Sequence, residues 1–93
     1  MNRQKLKIAR NKIDQLDRNI FNLIKKRTRI VKYMLNLKQS KNQIVDRKRI
    51  KVILKNIRNK SIKNNVDPKL TTRIWKAMIW GYVDFQRKNF KRK

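Results

Sequence analysis

Along the first third of the chain, cations stand where an amphipathic helix keeps apolar residues. From Lys5 to Lys38 hydrophobic residues recur at steps of three and four, the period of one helical face. Written as heptads, one row carries Arg10, Asp17, Ile24, Val31 and Lys38, and a second carries Ile13, Ile20, Arg27 and Met34. Leu16, Leu23, Ile30 and Leu37 widen the stripe. Arg10, Arg27 and Lys38 therefore share rows with Ile, Val and Met. Further on, Arg49 lies one turn before Ile53, with Ile57 one turn later. Trp75, Ile79 and Tyr82 lead at helical steps to Gln86, a carboxamide on an apolar stripe. Cations facing one interior repel one another and lose hydration unless something anionic neutralises them. Asp17 and Asp46 are the nearby acids, too few for the task, so the missing negative charge points to a ligand. Inward cations plus one amide describe a pocket for a small dianion, its carboxylates gripped by guanidinium forks.

Taken singly, these residues have plainer readings. Arg10 and Lys38 stand near helix ends, where a long side chain can run its charged head out to water. Gln86 alone fits a satisfied core amide. Trp75, Trp80, Tyr82 and Phe85 read as packing residues rather than a base-stacking platform. For Arg27, in mid-helix, that plainer reading is weak.

Composition narrows the chemistry further. The 93 residues contain no Cys and no His, and the five acids are Asp14, Asp17, Asp46, Asp67 and Asp84, with no Glu. No thiolate nucleophile, imidazole base or soft metal site can be built, and neither a metal nor a cofactor is expected. The net charge of +24 has two readings: affinity for nucleic acid or anionic membranes, or a surface drifted toward Lys and Asn by AT-rich codons. No apolar segment follows Met1 and no run approaches membrane-spanning length, so a cytoplasmic protein is expected.

The elements that must position these residues are all helical. The polar stretch Gln39-Ser40-Lys41-Asn42-Gln43 and the stretch Asn64-Asn65-Val66-Asp67-Pro68 break the periodicity. Asp67 suits an N-cap and Pro68 the first helical position. The spacing predicts an all-α fold, one domain over residues 1–93. One long helix runs from about Lys5 to Lys38, a shorter one from Asp46 to Lys63, and a third from Pro68 toward Asn89. The first would span roughly 50 Å. That exceeds a domain of this size, so a second copy is expected to cover its overhanging stripe.

With these residues in place, the chain resembles the all-helical (AroQ-type) chorismate mutase family. Arg10-Asn11-Lys12-Ile13-Asp14-Gln15-Leu16-Asp17 is similar to that family's opening Arg-x-x-Ile-Asp-x-Leu-Asp. Leu23-Ile24-Lys25-Lys26-Arg27, Ile30-Val31, Lys38, Asp46, Arg49, Val66-Asp67-Pro68 and Gln86 follow in the family's order. The resemblance implies an intertwined, helix-swapped homodimer that converts chorismate to prephenate in aromatic amino acid biosynthesis, each site completed by the other chain. It implies that Arg27 and the partner's Arg10 hold the substrate carboxylates, and that Lys38 binds a carboxylate and the ether oxygen. Gln86 would bind that same oxygen, Arg49 would support the carboxylate end, and Asp46 would lie near the ring hydroxyl.

Two positions depart from the pattern. Ile50 stands where mutases commonly place a Glu that grips the ring hydroxyl, and Tyr82 stands where some members have a small hydroxyl residue. Both, with the run Trp80-Gly81-Tyr82, are similar to the isochorismate pyruvate-lyases of the same fold, which release pyruvate and salicylate. A regulatory or inactive member of the family is a third reading. The reading from another class is a basic helical nucleic-acid-binding protein with Arg87-Lys88-Asn89-Phe90-Lys91-Arg92-Lys93 as a phosphate-contacting arm. Against it, no recognised binding motif occurs and the charge is spread over every segment, so no specific nucleic-acid partner is expected.

Overall fold

The computed structural model describes residues 2–91; Arg92 and Lys93 of the basic tail lie outside the described residues. Its three α-helices are α1 (Arg3–Leu37), α2 (Arg47–Lys63) and α3 (Pro68–Asn89), and no strand occurs among the described residues. The chain forms two compact units, Met1–Tyr33 and Met34–Lys93, and α1 runs through both. No described helix is long and apolar enough to cross a membrane.

Each helix end has a local cause. α1 stops one residue earlier than periodicity predicts, at Leu37. Lys38 is the first residue beyond it, its N–H donating to the Leu35 carbonyl at 3.2 Å in a tightened last turn. The expected polar break at 39–43 contains a single 3-10 turn, Lys41–Gln43. Gln43 Oε1 organises it by accepting from the N–H groups of Gln39 (2.6 Å) and Ser40 (3.2 Å). Asp46 is the N-cap of α2 rather than its first residue, and its carboxylate accepts from Arg49 N at 3.0 Å. α2 ends at Lys63, and two residues on Asn65 has a left-handed φ of 58°. There Val66 N–H reaches back to Ser61 O (2.9 Å) and Asn65 N–H to Ile62 O (3.3 Å), the pairing that closes a helix through a left-handed residue. Asp67 then caps α3, accepting from Lys69 N at 2.9 Å, and Pro68 supplies the first helical position.

In the second unit α2 and α3 pack as an antiparallel pair. Buried Ser61 pins them: its hydroxyl donates to Ile57 O and shares a hydrogen bond with Thr71 Oγ1, both at 2.6 Å. The apolar core is small: Leu35, Ile44 and Val83 form one buried cluster, with Val45 and Phe90 packed against it. A fully buried aliphatic side chain contributes roughly 1.5–3 kcal/mol, so this unit has little to spare. In the first unit the predicted stripe of α1 is bare. Ile13, Leu16, Ile20, Leu23 and Ile30 are each more than half exposed.

The cap on α3 gives a direct stability test. Asp67→Ala is expected to cost about 1 kcal/mol, read as a fall in Tm of roughly 4–8 °C. An unchanged Tm would mean that the carboxylate does not hold the start of α3.

Candidate active site

The buried cluster sets two polar side chains against each other. Lys38 follows Leu35 by three residues, and Gln86 follows Val83 by three, so each polar group emerges one turn from a core residue. Lys38 Nζ donates to Gln86 Oε1 at 2.7 Å across 48 residues of sequence. Gln86 is buried, only 8% exposed, and its Nε2 donates to the Tyr82 carbonyl at 3.2 Å. This orientation follows from donor and acceptor counts. An ammonium can only donate, so the amide must turn its oxygen toward Lys38, and its nitrogen then meets the Tyr82 carbonyl one turn back along α3. The Tyr82 ring packs edge-on against Phe85, with centroids 6.2 Å apart.

Burial pushes the Lys38 ammonium below its ordinary pKa, and the Asp46 carboxylate opposes that shift by attraction. Asp46 thus has two tasks, capping α2 and acting as counter-charge to Lys38. A surface cavity of about 660 Å³ opens at Lys38 and Asp46. Arg47, Lys48 and Arg87 also line it. Four cations against one acid make it a place where an anion is favoured.

The remaining predicted site residues are distributed as follows. Arg49 is exposed in the first turn of α2, held through its backbone to Asp46. Ile50, half-buried, donates its N–H to Asp46 O at 3.0 Å. Arg10 and Arg27 lie on α1 in the first unit, Arg10 exposed and Arg27 half-buried. Seventeen residues of helix separate them, about 25 Å of rise, so one small ligand cannot touch both on the same chain. The structure therefore brings together Lys38, Gln86, Asp46 and the backbone of Tyr82. Sequence reading missed Arg47, Lys48 and Arg87. The available signal was their adjacency to Asp46 and Gln86, masked by the abundance of cations everywhere else. Among the described residues, no three acids gather as a metal site requires.

Neither curated proteins nor solved structures yield a match to the chain. The sequence model of one family, described as chorismate mutase type II, matches residues 9–87, a span that holds every predicted site residue from Arg10 to Gln86. The fold agrees with it in being all-helical, and the chain belongs to the chorismate mutase type II family.

Proposed function

We propose that this protein is a chorismate mutase, rearranging chorismate to prephenate, and that the whole chain acts as one domain in a homodimer. The observation that carries the reading is the Lys38–Gln86 hydrogen bond beside a cation-lined cavity, inside a chain of this family. A Claisen rearrangement breaks one carbon–oxygen bond and makes one carbon–carbon bond within the substrate, with no proton gained or lost. It needs neither nucleophile nor base, which suits a chain without His, Cys or Glu. The protein must hold the enolpyruvyl arm over the ring and stabilise the negative charge that grows on the ether oxygen.

Lys38 and Gln86 have the donors for the second task. One of the three ammonium protons of Lys38 is spent on Gln86, leaving two for a carboxylate and the ether oxygen. One Nε2–H of Gln86 is spent on Tyr82 O, leaving the other for the same oxygen. Because Gln86 is buried and already oriented, little reorganisation accompanies the reaction. A donor preorganised in this way is worth about 3–4 kcal/mol of barrier. Arg27 and the partner's Arg10 hold the carboxylates, Arg49 supports them, and Asp46 lies toward the ring hydroxyl.

The bare stripe on α1 supports the dimer. Exposed Ile13, Leu16, Ile20, Leu23 and Ile30 form a face that a second α1 would bury. The distance between Arg10 and Arg27 supports a site shared between chains, since each would then serve a different pocket. The reaction places the protein in aromatic amino acid biosynthesis, in the cytoplasm.

Ile50 favours a second reading. An aliphatic side chain cannot hydrogen-bond a ring hydroxyl, whereas an isochorismate pyruvate-lyase, whose substrate carries that hydroxyl elsewhere, does not need it to. The purified protein is therefore incubated separately with chorismate and isochorismate. Prephenate from chorismate is the expected product. Pyruvate from isochorismate alone would replace the mutase by the lyase, and neither product would overturn both.

Shared sites make a further prediction. Arg10→Ala and Lys38→Ala chains are each expected to be inactive with their helices intact by circular dichroism. Mixed and allowed to exchange subunits, they should regain activity, because one of the two pockets in a mixed dimer keeps both residues. No recovery after exchange is confirmed would exclude a partner's Arg10 from the site.

A further inference from the structure

Charge that is spread along the sequence forms one continuous row on each helix of the folded α2–α3 pair, made of four of the eight cations of α2 and four of the five of α3. On α2, Lys48, Lys51, Lys55 and Arg58 follow one another at steps of three and four, and all are exposed. No acid occurs anywhere between Arg47 and Lys63. On α3, Lys69, Arg73, Lys76 and Arg87 share one face with Trp80, which is 40% exposed. The opposite flank of α3 carries Leu70, Ile74, Met78 and Phe85 instead.

The two rows lie on the same side of the pair. The meeting faces are marked by Ser61 and Ile57 on α2 and by Thr71, bonded to Ser61, with buried Ile79 two turns further along α3. At 3.6 residues per turn, each cationic row is rotated from its meeting face by about 120° in the same sense. Because the helices run antiparallel, equal rotations carry both rows to one side. The result is two parallel ridges of positive charge, about 15 Å long on α2 and about 27 Å long on α3, with axes roughly 8–10 Å apart. Asp84, beside the α3 row, is the acid that interrupts them.

We propose that this face is a binding surface for the phosphate backbone of nucleic acid, a function separate from the reaction at Lys38 although Lys48 and Arg87, at its end, also line the cavity there. Two extended rows match a partner that is itself an extended array of charge, and duplex DNA presents one negative charge per about 1.7 Å of axis. A small anion would use two or three of these cations and leave the rest repelling one another. A membrane surface calls for a broad apolar face to sink between headgroups, and here Trp80 and Ile62 are the large apolar side chains among the cations. Contacts of this kind are independent of base sequence, which accounts for the lack of a recognition motif.

The test measures anisotropy of a labelled DNA duplex two helical turns long, titrated with the full-length protein across a salt series. Binding is expected at low salt, its logarithm falling linearly with the logarithm of salt concentration. In a variant carrying K51Q, K55Q, R58Q, R73Q and K76Q the slope should flatten by about 4–5, with affinity at low salt reduced at least about a hundredfold. Arginine in place of each lysine at those positions should keep binding, which separates charge loss from misfolding. A variant carrying K7Q, R18Q, K25Q, R29Q and K32Q on α1 loses the same charge and should lose far less affinity. Equal losses in the two glutamine variants would reduce the effect to bulk charge and overturn the proposal. So would the absence of duplex binding, or a preference for phosphatidylserine vesicles over duplex at matched anionic charge.

Discussion

The hydrogen bond from Lys38 Nζ to Gln86 Oε1 is the contact on which the candidate site depends. It joins the residue just past α1 to the last part of α3, above the cluster of Leu35, Ile44 and Val83 that buries both neighbourhoods. Few aliphatic side chains hold this arrangement, so the polar contact is also structural: without Lys38, the buried oxygen of Gln86 would lose its partner, and an unpaired buried acceptor costs about 1–3 kcal/mol. Lys38 in turn is held partly dehydrated with Asp46 as its nearest counter-charge. A cation in that state is short of negative partners, and this is the condition in which a bound carboxylate or a developing oxyanion is stabilised more than in water.

The same constraint explains what the sequence reveals and what it hides. Asp46, Asp67 and Pro68 are readable as helix starts because their chemistry is local: a carboxylate reaches an amide two or three residues away. Gln86 stands out because an amide interrupts an apolar face, and Lys38 because a cation does. Their direct bond is not readable, since it spans the two breaks and depends on how tightly the last turn of α1 closes at Leu37. Nor is the 3-10 turn at Lys41–Gln43, which rests on one glutamine side chain bonding two amides. Arg47, Lys48 and Arg87 were hidden for a different reason: in a chain with 29 basic residues, no single one carries positional information until the cavity groups them.

Family membership and the bare face of α1 bear on one another. A helix of 35 residues leaves Ile13, Leu16, Ile20, Leu23 and Ile30 exposed, an apolar face of the kind that marks an interaction surface. A high positive charge opposes association by self-repulsion, so the apolar area covered must outweigh it, and bound anions would ease it. A dianionic substrate between chains and a polyanion on the outer face of α2 and α3 would both act in that direction, at different places and with different salt sensitivity.

Lys38 is a half-buried ammonium whose pKa is lowered by burial, beside a cavity lined by other cations, and nuclear magnetic resonance can titrate it directly. With lysine labelled at Cε and Nζ, the Lys38 signal, assigned by its loss in Lys38→Arg, is followed against pH with and without a stable cyclic dicarboxylate resembling the substrate. Its pKa should lie below the ordinary lysine value in the free protein and rise when the dicarboxylate binds. A Lys38 that titrates like the exposed lysines and does not respond to the dicarboxylate would contradict the account.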